Sequence, residues 1–481
     1  MRMYRNVLTN LGFLLQLAGI FAIFPTGTAF YLGEKEAAVS FLITALVFLA
    51  VGFFLNSLSE RKELDFKASS ALLVIVFLML GLFGSIPYLY LGVFGNNSNP
   101  LNAFTNSFFQ SISGYTSTGL NLIQNVESLP RSLVLYMSLT QWVGGLGIVF
   151  LLLVFFYPER KLEKLKEATN VASLSGSLRK SFLGVLEIYL FYTIAFFAVL
   201  VLLGLSVVNS LSLVFSGLST GGFSPVSDLS TLLTAPVGLV VSIVMLFGGI
   251  SFAVHYNLLR RKFREAVTVE LVFFLSIIVF FSILLAVVQQ INLADSFFHV
   301  ISASTTTGFS YMKLTDLNAS SKMIFILLMF VGGSAFSTAG GIKVWRIIIF
   351  LKSIPWTLRR FLRLDKTDLQ IGKQRIEENE IILTFSYMLL AIASIVIFSF
   401  VFTLYGFSLI DSAFEVTAAL GTVGLSIGVT NVSLPAILKW LLIIEMILGR
   451  VEIMSLLALF VNLPRLHVKN LIRRFRSAFS R

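Results

Sequence analysis

The chain of 481 residues has no cysteine, only three histidines, and charged side chains at just 12% of its positions. Without cysteine there are no disulfides and no thiolate metal sites. The few histidines are scattered and the carboxylates do not cluster, so no nucleophile–base pair or metal centre is available and an enzyme reading has nothing to build on. The low charge excludes a soluble domain of ordinary composition. What the chain has instead is apolar bulk: 57% of its residues are hydrophobic and 48 are phenylalanine. Runs of about 20 apolar residues, each able to cross roughly 30 Å of hydrocarbon as a helix, recur along the whole length. Ten are read, at 11–32, 37–57, 70–94, 132–156, 182–207, 236–257, 267–288, 322–351, 381–405 and 436–460. The first follows Arg2 and Arg5, but its apolar core is long and no small-residue cleavage pattern follows, so it reads as a retained helix and not a signal peptide.

The net charge of +12 does not point to nucleic acid, because the basic residues fall in alternate connections. They gather at 59–67, in "PERKLEKLKEATN" with Arg179 and Lys180, in "RRKFR" at 260–264, at 352–380 and in the tail "RLHVKNLIRRFRSAFSR". The other connections hold Lys35, Arg131, Lys313, Lys322 and Lys439. Lysine and arginine resist translocation, so the rich side is cytoplasmic and both termini are expected there. Binding of lipid or nucleotide by any one basic loop is the secondary reading.

Against this oily background four polar segments align without a gap: "NSFFQSISGYTSTGLN" from Asn106, "NSLSLVFSGLSTGGFS" from Asn209, "DSFFHVISASTTTGFS" from Asp295 and "DSAFEVTAALGTVGLS" from Asp411. Each opens on Asn or Asp followed by Ser, and each carries a glycine 13 residues on, at Gly119, Gly222, Gly308 and Gly424. The leading Asn or Asp is expected to cap a helix of about nine residues, too short to cross a bilayer, which must enter from outside and turn back. Non-helical backbone at membrane depth is tolerated only where protein buries it or it lines a watery path. The strips "TSTG", "TGG", "TTTG" and "TVG" are that backbone. A second landmark follows at 26, 27, 25 and 26 residues, where "QWVGGLG", "LFGGIS", "FVGGSA" and "ILGRVE" place Gly145, Gly249, Gly333 and Arg450.

The unit is therefore span, re-entrant helix, strip, span. Two spans per unit orient all four units alike, as parallel repeats about an axis along the membrane normal. The expected fold class is an all-α polytopic membrane protein with four pseudo-symmetric membrane-pore-membrane repeats around one pore, preceded by two extra transmembrane helices. The boundaries are 1–67 for the two extra helices, 68–160, 161–262, 263–353 and 354–462 for the repeats, and 463–481 for a basic cytoplasmic tail. On the axis the strip backbones at Thr118 and Gly119, Gly221 and Gly222, Thr307 and Gly308, and Val423 and Gly424 would turn carbonyls inward and replace the water shell of an alkali cation. The re-entrant helices would aim their negative C-terminal ends at it.

Two departures from the repeat suggest a gate. In "GGSAFSTAGGIK" at 332–343, small residues including Gly332, Gly333, Ser337, Thr338, Gly340 and Gly341 should break the helix and leave a loop under the strips, with Lys343 at its cytoplasmic end. The plainer alternative is a close helix crossing at small residues. Arg450 replaces glycine in the fourth unit; a lone guanidinium there should face the pore as an electrostatic barrier, unless Glu445 or Glu452 neutralises it.

Four "N/D-S…TTG-F/L-S" loops together with "QWVGGLG", "GGSAFSTAGGIKVWR" and "ILGRVEI" resemble the Trk, Ktr and HKT superfamily of potassium transporters over essentially the whole chain, and the two leading spans resemble its TrkH branch. The resemblance implies a potassium-uptake subunit of the bacterial plasma (inner) membrane, with K+ bound at Gly119, Gly222, Gly308 and Gly424, a gate at 332–343 and a pore arginine at Arg450. It also implies a homodimer seated on a cytoplasmic TrkA-type regulatory ring that binds ATP, ADP or NAD. Glycine at position 119 is the family's potassium-permissive pattern, whereas serine there accompanies sodium selectivity in some members. Unit four reads "GTVG" and unit two has paired glycines, so a sodium-permeable transporter stays open. A proton- or sodium-coupled carrier of a small solute is the other alternative, with Glu187, Glu270, His255, His299 and Glu415 as candidate ionisable groups. Of these, His299 and Glu415 take the slot held by Gln110 and Leu213 in the other re-entrant helices.

Overall fold

A computed structural model describes residues 2–59, 64, 66–95, 99–155, 178–362, 368–372 and 374–451. Most of the basic run after residue 157, residues 452–460 of the tenth apolar run with Glu452, and the basic tail lie outside the described residues. Helices dominate; among the described residues the strands are a two-residue pair, β1 Gln370–Ile371 and β2 Gln374–Arg375.

Two long helices, α1 (Arg2–Tyr31) and α2 (Lys35–Asn56), form an antiparallel pair. Small residues let them touch: a Cβ on Gly52 would lie 2.9 Å from the Gln16 amide nitrogen and 2.9 Å from the Gly12 carbonyl oxygen. Next come α3 (Phe66–Gly84), α4 (Ile86–Tyr90), α5 (Pro100–Tyr115) and α6 (Arg131–Phe155). Glu34, in the turn between α1 and α2, reaches across to the start of α6. Its carboxylate accepts from the amides of Arg131 at 2.8 Å and Ser132 at 3.0 Å, and from the Ser132 hydroxyl. A carboxylate on free amides at the positive end of a helix dipole fixes the leading pair to the rest of the bundle.

The chain continues through α7 (Leu178–Leu202), α8 (Val207–Leu218), α9 (Ala235–Gly249), α10 (Phe252–Leu259), α11 (Phe263–Ala266) and α12 (Val269–Gln289). It ends with α13 (Leu293–Ser304), α14 (Ala319–Val331), α15 (Val344–Phe361), α16 (Glu378–Leu404), α17 (Leu409–Leu420) and α18, described over Ala436–Val451. Among the described residues six helices are long and apolar enough to cross a membrane, and a seventh span arises if α9 and α10 are joined. The helices α8, α13 and α17 have 12 residues each, which at about 1.5 Å per residue reach only about 18 Å.

Three expectations need correcting. The run 236–257 is not one straight span, because α10 turns by 110° from α9. The run 322–351 is two helices separated by irregular backbone at 332–343. The leading Asn and Asp of the four segments are not N-caps. The caps stand upstream, where Ser206 accepts from the Asn209 amide at 3.3 Å, Ser408 from the Asp411 amide at 3.2 Å, and Asn99 from Leu101 at 3.1 Å. The short helices are accordingly 12 to 16 residues long, not nine. The displaced side chains tie elements together instead. Asp411 pairs with Lys322 on α14 at 2.7 Å, Asn106 accepts from Lys439 on α18 at 2.7 Å, and Asp295 accepts from Tyr311 at 2.7 Å.

Candidate functional site

Helices α5, α8, α13 and α17 end in one and the same way. The residue two past the last helical one adopts a left-handed conformation, Ser117 at φ 47°, Thr220 at 54°, Thr306 at 58° and Thr422 at 49°. The next amide bonds back across the last turn, Thr118 to Ser113 at 2.9 Å, Gly221 to Ser216 at 2.7 Å, Thr307 to Ser302 at 2.8 Å and Val423 to Ala418 at 2.8 Å. This Schellman closure uses up helix-end carbonyls and throws the chain out of the helix axis. Gly119, Gly222, Gly308 and Gly424 follow at φ between 80° and 89°, a region in which only glycine is unstrained.

The four strips meet. A Cβ on Gly119 would run into the Gly221 carbonyl oxygen, one on Gly222 into that of Thr307, one on Gly308 into that of Val423, and one on Gly424 into that of Thr118. Each strip thus touches the next in chain order and the fourth returns to the first, so the contacts close into a ring. Outside the ring lies a cavity of about 250 Å³ whose lining includes all four glycines with Asn121, Ser224 and other polar residues. At its rim Glu127 accepts from the Ser227 amide at 2.8 Å and from its hydroxyl, bonds that hold the Glu127 carboxyl below the usual carboxylate range.

Side chains from three of the four short helices secure their strips beyond the glycine. Gln110 accepts from the Leu122 amide at 3.1 Å and donates to Asn121 at 2.8 Å. His299 donates through Nδ1 to the Asp295 carbonyl at 2.7 Å and faces the Tyr311 and Met312 amides with Nε2 at 3.3 Å, which fixes a neutral tautomer. Glu415 accepts from Ile427 at 2.9 Å, Ser426 at 2.7 Å and Thr430 at 2.5 Å. The sequence puts these residues in one slot without giving the slot a task. Leu213, its fourth occupant, is buried and has no polar group to offer.

Beneath the ring runs the irregular stretch 332–343. Gly332 at φ 71° and Gly341 at φ 74° face each other closely enough that a side chain on either would strike the other's backbone. The stretch touches α8, α9 and the strips after α13 and α17 at once. The Thr338 hydroxyl lies 2.9 Å from the carbonyls of Leu218 and Gly248, and the Gly340 amide donates to Thr306 Oγ1 at 2.7 Å. A Cβ on Gly340 would strike Thr422 Oγ1 and the Gly421 carbonyl. The Ser334 amide donates to the Gly249 carbonyl and the Phe252 amide to the Phe336 carbonyl, both at 2.9 Å. The bend between α9 and α10 and the break after α14 therefore supply each other's missing backbone partners, the condition for unwound chain at this depth. Glu270 adds a carboxylate on the Ala335 amide at 2.6 Å, Ser337 bonds within the stretch to the Ser334 carbonyl at 2.6 Å, and Lys343 caps the Ala339 carbonyl.

Arg450, on α18, closes the arrangement from another side. Its Nη1 donates to the Thr338 carbonyl at 2.9 Å and its Nη2 to the Gly144 carbonyl on α6 at 3.1 Å. Glu445, the described neutralising candidate, accepts from Ser394 at 2.6 Å and forms no ion pair with Arg450 among the described residues. Gly145, Gly249 and Gly333 hold the matching places in the other three motifs; a Cβ on Gly145 would lie 2.9 Å from Ser219 Cβ, and one on Gly249 2.9 Å from Thr305 Cβ. His255 lies in α10, its Nε2 2.9 Å from the Phe247 carbonyl. Among the described residues no group of acidic, histidine or cysteine side chains could hold a metal ion.

Membrane-length helices around four half-length helices whose ends converge on one ring define a polytopic membrane transport protein. The family model described as TrkH, cation transport protein, matches residues 37–286 and 265–469, and the chain belongs to that family. An uncharacterized cation transporter of Methanocaldococcus jannaschii is 30% identical over 479 residues, covering 95% of each chain. The Trk system potassium uptake protein TrkH of Escherichia coli is 24% identical over 481 residues, covering 92% of this chain and 97% of its own. Among solved structures, the potassium transporter TrkH from Vibrio parahaemolyticus superposes with a TM-score of 0.80 at 23% identity, over 96% of this chain and 99% of that one, and so has the same fold.

Proposed function

We propose that this protein carries potassium across the plasma membrane through a filter of backbone carbonyls at Thr118 and Gly119, Gly221 and Gly222, Thr307 and Gly308, and Val423 and Gly424. One observation carries the reading: the approach of each strip carbonyl to the next strip's glycine, closing from the fourth unit onto the first. Such a ring can exchange water for carbonyl oxygen around a monovalent cation without any carboxylate. The potassium uptake for which the Escherichia coli relative is named supplies the ion.

On this reading the units run 68–160, 161–262, 263–353 and 354–462 behind two leading helices, with both termini cytoplasmic. The stretch 332–343 and Arg450 form the gate, bonded to each other through Thr338. A homodimer on a cytoplasmic TrkA-type ring, with ATP, ADP or NAD bound to that ring, would move the gate from below. Radiotracer rubidium uptake into proteoliposomes tests the central step. Electrodiffusive uptake that ignores a proton gradient and excludes sodium supports the pore; obligatory dependence on a proton or sodium gradient would replace it with a coupled carrier. Gly119→Ser in the same assay should lower the rubidium-to-sodium ratio.

A further inference from the structure

The second strip lacks two things that the others have. Its short helix offers Leu213 where Gln110, His299 and Glu415 bond their strips, and its strip has Gly221 where the others carry Thr118, Thr307 and Val423. Without a side chain and without that bond, the backbone at Gly221 should be the least constrained part of the ring. One residue from the neighbouring unit holds this strip instead, at Gly221 and Phe223; Pro225, which stands where Leu122, Tyr311 and Ile427 donate, has no N–H for a fastener to accept. Gln141 on α6 is buried; its Nε2 donates to the Gly221 carbonyl at 2.6 Å, and its Oε1 accepts from the Phe223 amide at 3.1 Å. The orientation of the amide is unambiguous, because an N–H can only meet Oε1 and a carbonyl can only meet Nε2.

The fit is mutual. A Cβ on Gly221 would lie 2.5 Å from Gln141 Cδ and 2.8 Å from its Cβ, so glycine at 221 is what gives the glutamine room. The position of Gln141 in the repeat shows that it is specific to this junction. In "QWVGG", "MLFGG", "MFVGG" and "MILGR" it aligns with Met245, Met329 and Met446, all buried and apolar. Among the described residues, no side chain donates to the carbonyls of Thr118, Thr307 or Val423; the Gly221 carbonyl alone among the four is engaged from the side.

We infer that Gln141 is a specificity-determining positioning residue: its amide, reaching in from unit one, sets where the unit-two carbonyl stands in the ring and thereby the size of cation the ring accepts. This rests on the filter reading given above. With the amide removed, the flexible Gly221 carbonyl is free to close on a smaller ion, so sodium gains at the expense of potassium or rubidium.

The test is the rubidium-to-sodium flux ratio of purified full-length protein in proteoliposomes, a ratio independent of how much protein is active. Gln141→Met, which copies the other three units, should lower the ratio about two- to tenfold, the range of one neutral hydrogen bond. Gly221→Thr alone pushes the glutamine aside and should lower it likewise. The double variant, which gives unit two a strip side chain and an apolar neighbour as in the other units, should recover most of the loss. A purely structural role would lower total flux and stability in both single variants without moving the ratio and without rescue. Should the methionine variant fail to assemble, Gln141→Leu, apolar though shorter and branched, carries the same test. A wild-type protein that discriminates between the ions while Gln141→Met keeps its ratio overturns this inference alone; a wild-type protein with no selective electrodiffusive flux overturns the filter reading beneath it.

Discussion

Thr338 and Arg450 stand 112 positions apart in the chain, and the guanidinium of one donates to the backbone carbonyl of the other at 2.9 Å. The bond joins the charged replacement in a row of glycines to the irregular stretch at 332–343. Each element thus restrains the other, and the positive charge is held under the ring.

Removing that charge should open the path. Two unit charges about 10 Å apart at an effective dielectric constant near 20 repel by about 1.7 kcal/mol, so Arg450→Ala should raise rubidium flux by about tenfold or more. Arg450→Lys separates charge from tether, since an ammonium cannot bridge Thr338 and Gly144 as the fork does; it should raise flux far less. Equal flux from wild type and the alanine variant would remove Arg450 from the gate.

The Thr338 hydroxyl offers a second handle on the same stretch. Thr338→Val keeps the shape and deletes the donor to Leu218 and Gly248. One buried hydrogen bond contributes about 1 kcal/mol, enough to favour an open loop severalfold. Single-channel recording in planar bilayers should therefore show longer openings at unchanged unitary conductance. A changed conductance with the same open time would place Thr338 in the conduction path instead.

Glycine substitutions should divide sharply by place. At Gly308 an alanine methyl meets the Val423 carbonyl, and the left-handed backbone alone costs about 1–2 kcal/mol. Gly308→Ala should abolish flux while the protein still reaches the membrane. Gly27, in α1 with nothing within 4 Å of the place a methyl would take, is the control: alanine there should leave flux intact and stabilise the helix by about 0.5–1 kcal/mol.

Loss of a strip fastener should register as stability. Glu415→Ala strands the Ile427 amide and the Thr430 hydroxyl and takes one of two bonds from the Ser426 hydroxyl, which keeps the Gly428 amide, and each buried polar group left unpaired costs about 1–3 kcal/mol. Thermal unfolding in detergent should show Glu415→Ala to be more destabilising than Gln110→Ala, which strands fewer groups. The reverse order would mean that the fourth strip is held mainly by its packing.

The four strips, the unwound stretch and most of the spans are legible in the sequence because each has a local signature: a registered repeat, a density of glycine, an apolar run. Sequence misleads where tertiary bonds decide. Nothing between Gly248 and Ser251 marks a bend of 110°, since the partners that permit it come from Ser334 and Phe336. The repeat's leading Asn and Asp suggest caps, although a serine three residues upstream, Ser206 or Ser408, is the better signal. Gln141 carries no mark of its own within "QWVGGLG"; only the four motifs laid one under another, with three methionines at its place, expose it.

Four strips on one polypeptide need not be identical. Were the ring assembled from four copies of one subunit, any arginine below it would be present in quadruplicate, and mutual repulsion at such range would drive the guanidiniums apart or out of the membrane. Covalent linkage lets Arg450 occur once. On the proposed gate reading, a solitary charge approaching from one flank can then be tuned, or moved aside, without disturbing the other three quarters of the ring.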